Sequence, residues 1–247
     1  MVCRYGLVAS SLIILFGFGC SNGANSWTEN TTQVVQETNV NQLFVEAKAS
    51  QKAEVLFAQG NNLLDRQRYE DAIKAYDKAI AMKAEISEAW INRGIALTSL
   101  HRYPEAIASY DKAIVIKADK DEAWYNRGIA LTSLQRYKEA LASYDRAIAI
   151  KPKKYEALTN RGIALTKLQR YQEAIASYDR AIAIKKDLHQ AYYNKACAYA
   201  LQGNVELAIE NLDRAIQFVP AKYRKLAKTD PDFSKVRSQK RFQELLQ

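Results

Sequence analysis

The sequence predicts an all-α solenoid, an array of paired helices, on three observations. The stretch Trp124-Tyr125-Asn126-Arg127-Gly128-Ile129-Ala130-Leu131 is nearly repeated from Trp90 to Leu97 and from Leu158 to Leu165. Gly60, Gly94, Gly128 and Gly162 follow one another at intervals of 34 residues, and Ala196 takes the same place one interval later. Within each interval, apolar and small residues recur at spacings of three and four, twice, with a break between. Fixed self-similarity of this length means that each unit is one supersecondary element whose neighbours complete its core.

Composition narrows the function. With 247 residues, 48% of them apolar and 26% charged, the chain is an ordinary globular protein, which excludes disorder throughout. Cys3, Cys20 and Cys197 form neither a disulfide framework nor a metal-ligand spacing, and His101 and His189 are too isolated to build a zinc or triad site. A Gly-rich phosphate loop and a nucleophile elbow are both missing from the sequence. These points argue against an enzyme and against a metal or cofactor.

Residues 1–19 combine an early Arg4, an apolar run from Leu7 to Phe18 and a small residue before Cys20. Such a run reaches about 18 Å as a helix, short of the roughly 30 Å hydrocarbon core, so it reads as a signal peptide rather than a span. The Gly19-Cys20 junction, followed by Ser21 and Asn22, resembles a bacterial lipoprotein processing site. The resemblance implies lipidation of Cys20 and an exported protein anchored at a membrane, facing the periplasm or the cell exterior. Secretion and single-pass anchoring are the alternatives. Residues 20–40 are rich in Asn, Thr, Gln and Ser without a sustained period, and are expected to form a flexible tether.

Five repeats occupy residues 41–220, at about 53–86, 87–120, 121–154, 155–188 and 189–220. In the second, a first helix is expected from Ser87 to Leu100, a turn at His101-Arg102-Tyr103, and a second helix that Pro104 opens, where a missing N–H is harmless. The same pattern fits 121–134 with 138–151, 155–168 with 172–185, and 189–201 with 205–218. In the first repeat the leading helix starts early, since Leu43, Phe44 and Ala47 already show helical spacing. Gly128 and Ala140 leave room for close helix approach, and Tyr144 supplies bulk beside Ala147. Residues 221–247 read as a basic cap, with Tyr223, Leu226, Ala227, Phe233, Val236, Phe242, Leu245 and Leu246 as its apolar contacts.

The set Trp90, Gly94, Leu97, Tyr103, Ala106, Tyr110 and Ala113, with Pro152 and Pro220 in the terminal proline place, resembles the tetratricopeptide repeat signature. That family implies stacked antiparallel helix pairs in a right-handed superhelix, with a concave groove lined by the first helices. It also implies a non-enzymatic scaffold that binds a protein or an extended peptide. The fifth copy drifts from the pattern, as suits a repeat that meets a cap.

Groove candidates follow from the recurrent places of the first helices. Asn92, Asn126, Asn160 and Asn194 form a ladder of amides, which offer donor and acceptor to a peptide main chain without demanding particular side chains. Beside them stand Ile95, Ile129 and Ile163, and one turn on Thr98, Thr132 and Thr166. Tyr125 and Tyr193 complete the set. A clamp for acidic tails is not expected, because Phe57, Ile91, Tyr125 and Thr159 occupy the place where that clamp needs lysine.

The net charge of +9 does not recommend nucleic acid, since residues 221–247 alone carry eight Lys/Arg against three Asp/Glu. Three basic ladders have local explanations. Lys83, Lys117, Lys151 and Lys185 fall at helix C-termini, and Arg68, Arg102, Arg136 and Arg170 fall in the inter-helix turns. Arg93, Arg127 and Arg161 are expected to pair with Asp111, Asp145 and Asp179 inside each hairpin. The rival functions are an assembly factor working through its convex face or basic tail, and a helical-repeat RNA binder, which Glu88, Glu122 and Glu156 beside the amide ladder oppose.

Overall fold

A computed structural model describes residues 25–247, with side chains from residue 39. The expected signal peptide and Cys20 lie outside the described residues. The chain divides into two units, residues 1–48 and 49–247. Helix α1 spans Asn25–Asp65. Residues 25–40, part of the stretch 20–40 expected as a flexible tether, are helical: they contain neither Pro nor Gly, so nothing interrupts the helix. Leu43 and Phe44, read as helically spaced apolar positions, are exposed. Among the described residues no helix is long and apolar enough to cross a membrane.

Beyond α1 the second unit alternates first and second helices. These are α2 (Tyr69–Met82), α3 (Ser87–Ser99), α4 (Tyr103–Ile116), α5 (Asp121–Ser133), α6 (Tyr137–Ile150), α7 (Tyr155–Lys167), α8 (Tyr171–Ile184), α9 (His189–Gln202) and α10 (Val205–Phe218). Each bound lies within about two residues of the expected one, and Pro104 sits in the first turn of α4. Among the described residues there is no strand; the fold is an all-α solenoid of stacked antiparallel pairs.

The pairs close because a glycine faces a tyrosine. A Cβ on Gly128 would stand 2.5 Å from Cε1 of Tyr144, and the same clash recurs at Gly60, Gly94 and Gly162. The Tyr144 ring is 1% exposed. Its hydroxyl exchanges a hydrogen bond with Thr132 Oγ1 at 3.0 Å, and burial pushes the phenol well above its ordinary pKa.

Each first helix ends in the same way. Gln135 adopts φ 58°, its N–H donates to Thr132 O at 2.9 Å, and the Arg136 N–H donates to Leu131 O at 2.9 Å. This pair of bonds satisfies carbonyls that the helix end would otherwise orphan. Gln67, His101 and Gln169 repeat the left-handed conformation, and only the fifth copy places a glycine there, Gly203 at φ 81°. The turn arginines then brace the next helix: Arg136 donates through Nε and Nη2 to both carboxylate oxygens of Glu139, at 2.7 and 2.6 Å. Gln135→Gly is expected to raise the urea midpoint by a gain of about 0.5–1 kcal/mol, because a side chain in that region is strained. A lower midpoint would refute the strain.

The expected ion pairs are redirected. Arg127 donates to Asp111 Oδ1 at 2.6 Å and to Ser143 Oγ at 2.8 Å, so it joins the preceding repeat to its own second helix. Arg93 does the same with Asp77 and Ser109, Arg161 with Asp145 and Ser177, and Lys195 reaches Asp179. The aspartate follows the tyrosine that faces inward, so it points out of its own hairpin and toward the following repeat. Such pairs are solvent-washed at the carboxylate and serve stacking register more than stability.

The terminal segment folds onto the last pair. Helix α11 (Pro220–Thr229), a 3-10 turn at Pro231–Phe233 and α12 (Lys240–Leu245) follow α10. Tyr223, Ala227, Phe233, Val236, Phe242 and Leu246 join one buried cluster with α9 and α10. Leu245 packs against that cluster while half-buried, whereas Leu226 is exposed.

Candidate functional site

One open cavity of about 470 Å³ lies along the first helices of the last repeats and is closed at one end by α11. Helix α5 contributes Tyr125, and α7 contributes Tyr155, Glu156, Thr159, Asn160 and Ile163. Leu188 and the α9 residues Gln190, Tyr193 and Asn194 form the next wall. Lys222, Tyr223 and Leu226 of α11 complete it.

One departure from the repeat lies in the cavity wall. Phe57, Ile91, Tyr125 and Tyr193 stand at one recurrent place, and the fourth copy puts Thr159 there. Its hydroxyl bonds back to Tyr155 O at 2.8 Å within the helix, so a small, internally satisfied residue sits between two tyrosines. The sequence carried this signal as a copy that breaks the size pattern. Tyr155, which replaces Asp121, and Gln190, which replaces Glu156, are further departures that gather at the same cavity.

The amide ladder divides. Asn160 Nδ2 donates to the Tyr125 hydroxyl at 3.1 Å, and its carbonyl oxygen accepts no hydrogen bond among the described residues. Asn194 makes no side-chain hydrogen bond among the described residues, so its amide is available at the cavity wall. Asn92 instead donates to Asn61 Oδ1 at 2.9 Å, and Tyr76 donates to the same oxygen at 2.9 Å. Asn92 therefore belongs to a local network remote from the cavity. Asn126 is half-buried and does not line it.

Other expected groove residues are structural. Thr98, Thr132 and Thr166 each donate to the carbonyl one turn back, of Gly94, Gly128 and Gly162, at 2.9 Å. Each also meets the buried tyrosine of its own hairpin, so none is free to read a ligand. The reason is geometric: a place one turn beyond the isoleucine turns into the helix pair. Ile95 and Ile129 are half-buried against the core of the second and third repeats, whereas Ile163 reaches the cavity. Tyr193 is only 7% exposed, and its hydroxyl donates to Asp230 Oδ2 at 2.7 Å. Its hydroxyl is thus engaged, and its ring lines the cavity stacked on Tyr223 with centroids 4.9 Å apart.

Charge at the rim has two signs. Glu156 makes no ion pair among the described residues, and Lys222 Nζ lies 5.2 Å from the Tyr223 ring centroid. Lys154 Nζ lies 4.6 Å from the Tyr125 ring and holds Asp121 at 2.7 Å. His189 accepts or donates at 2.6 Å to the Tyr223 hydroxyl, and burial holds its pKa below the ordinary histidine value. Behind the wall, Cys197 is buried near Asp230, and burial raises its thiol pKa far from the reactive range.

Comparison with known proteins agrees with the fold. Models described as tetratricopeptide repeat match residues 57–122, 121–154, 155–188 and 189–221. No curated protein sequence matches the chain significantly. Among solved structures, YrrB, described as a TPR protein with an unusual peptide-binding site, is 26% identical with a TM-score of 0.63, over 73% of this chain and 92% of its own. MamA is 23% identical with a TM-score of 0.64, over 72% of this chain and 96% of its own. MamA residues 41 to the end from Desulfovibrio magneticus RS-1 are 19% identical with a TM-score of 0.66, over 69% and 97%. The repeat spacing, the glycine–tyrosine hairpins and these matches together make the chain a member of the tetratricopeptide repeat family.

Proposed function

We propose that this protein is a non-enzymatic interaction scaffold that takes an extended polypeptide segment into the cavity between α5, α7, α9 and α11. The observation that carries the reading is the slot opened by Thr159 between Tyr125 and Tyr193, with Asn160 and Asn194 on its wall. Tyrosine rings bury an apolar side chain of the segment, and the amides meet its main chain. The peptide-binding site named for the similar YrrB supports the same use of the fold. The proposal extends to the amino terminus: residues 1–19 serve as a signal peptide and Cys20 carries a lipid, so the array works at a membrane on the periplasmic or exterior side.

Selection of binders from a random peptide library, followed by calorimetry, tests the groove. Asn160→Ala with Asn194→Ala is expected to weaken selected peptides by about tenfold or more, the effect of losing two hydrogen bonds. Peptides that bind the double variant as tightly as the native protein would rule the slot out. For the anchor, mass spectrometry of the mature chain is expected to find acylated Cys20 as the first residue. An intact, unmodified join between residues 19 and 20 would contradict it.

A further inference from the structure

The second helices carry a pattern that the cavity does not use. Lys78, Lys112, Arg146 and Arg180 recur at intervals of 34 residues on α2, α4, α6 and α8, and all four are exposed. Three and four residues after each cation come apolar side chains, which share its face of the helix. These are Ala81 with Met82, Val115 with Ile116, Ala149 with Ile150, and Ala183 with Ile184. Val115 is 84% exposed, Met82, Ile150 and Ile184 are 38–39% exposed, and Ile116 is half-buried.

The acids of these helices are already engaged. Asp77, Asp111, Asp145 and Asp179 precede the four cations in sequence, yet each is paired with the following repeat. Asp71, Glu105, Glu139 and Glu173 are held by the turn arginines. Glu70, in the first turn of α2, is the one acid of the four helices left unpaired among the described residues. The four cations themselves make no ion pair among the described residues. The place recurs on α10 as exposed Arg214, but there Glu206, Glu210 and Asp213 share the helix and make no ion pair among the described residues, so the cation is offset by free acids.

We propose that this face of α2, α4, α6 and α8 docks on an anionic lipid surface. Headgroup phosphates complement the unpaired Lys and Arg, and the apolar side chains one turn on enter the boundary between headgroups and acyl chains. RNA would complement the cations but would hold the apolar rungs against phosphate. A two-part unit repeated four times, without a distinctive rung, suits a surface of uniform chemistry. The docking is independent of the cavity and of the Cys20 lipid. It adds an orientation, with the second helices turned to the bilayer and the first helices turned away from it.

The test uses the full chain with Cys3→Ser and Cys20→Ser, which leaves Cys197 buried, and an environment-sensitive dye on Val115→Cys. Vesicles are phosphatidylcholine alone or phosphatidylcholine with phosphatidylglycerol, each with brominated lipid as quencher. Quenching is expected on the anionic vesicles at a protein concentration about tenfold or more below that needed on neutral ones, with loss in high salt. Reversal of the four exposed cations (K78E, K112E, R146E, R180E) is expected to abolish it, with helical circular dichroism unchanged. A dye that stays in water on both vesicles overturns the proposal. So does equal quenching on both, which would reflect the apolar amino terminus, and so does a response to single-stranded RNA without one to anionic vesicles.

Discussion

Tyr144→Ala is expected to destabilise the array by about 3–5 kcal/mol, the cost of truncating a fully buried aromatic ring in a site that cannot collapse. The site cannot collapse because Gly128 faces the ring with no side chain to move into the space. The substitution also strands Thr132, whose hydroxyl keeps its bond to Gly128 O but loses the Tyr144 oxygen. The loss should be local at first. In a solenoid each repeat contacts only its neighbours, so the third pair opens before the rest. Hydrogen exchange is expected to show early exchange in α5 and α6 with α9 and α10 still protected, together with a lower urea midpoint. Tyr144→Phe separates ring from hydroxyl and is expected to lose only about 1 kcal/mol. Equal losses in the two variants would place the stabilisation in the hydroxyl network rather than in the packing.

The same glycine–tyrosine contact explains why so much of the fold was legible. A 34-residue interval with Gly, Ala and Tyr at fixed offsets specifies which faces meet, and helical spacing supplies the element bounds. What the spacing could not carry was direction across the stack. Arg127 and Asp111 were both recognisable as partners for something, but periodicity treats an aspartate of the preceding repeat and one of the same repeat alike. Only the outward turn of Asp111, next to the inward Tyr110, decides between them. The threonines misled for a related reason. A recurrent polar residue one turn from a groove position looks like recognition, and here it is spent on a glycine carbonyl and a buried phenol.

The candidate site was legible only in part because a repeat argument favours what is shared, whereas the cavity is made by what differs. Asn160, Asn194, Tyr125 and Ile163 were reached through their ladders, and all four line it. Asn92 and Asn126 belong to the same ladder and do not. Thr159 stood in a row read only as lacking lysine, and Tyr155 and Gln190 depart from the residues that the other copies carry there. The contribution of α11 follows from the cap, whose Tyr223 and Leu226, both expected to pack, border the slot together with Lys222.

Thr159→Tyr is therefore expected to have the largest effect on binding. It restores at the fourth copy the aromatic residue that the third and fifth copies carry, and it fills the space between Tyr125 and Tyr193. Enlarging a packed core residue ordinarily costs about 1–3 kcal/mol. Here the added ring has about 470 Å³ of open cavity to enter, and the hydroxyl lost is one that bonded only within its own helix. The melting temperature is expected to move little, while the affinity of peptides selected on the native protein falls by about tenfold or more, since the buried anchor loses its place. Thr159→Val keeps the volume and removes the hydroxyl, so it is expected to bind as the native protein does. The pair distinguishes a pocket from a surface. If Thr159→Tyr retains native affinity in a calorimetric titration, the segment bypasses the cavity, and the free amide of Asn194 would then be serving some other contact.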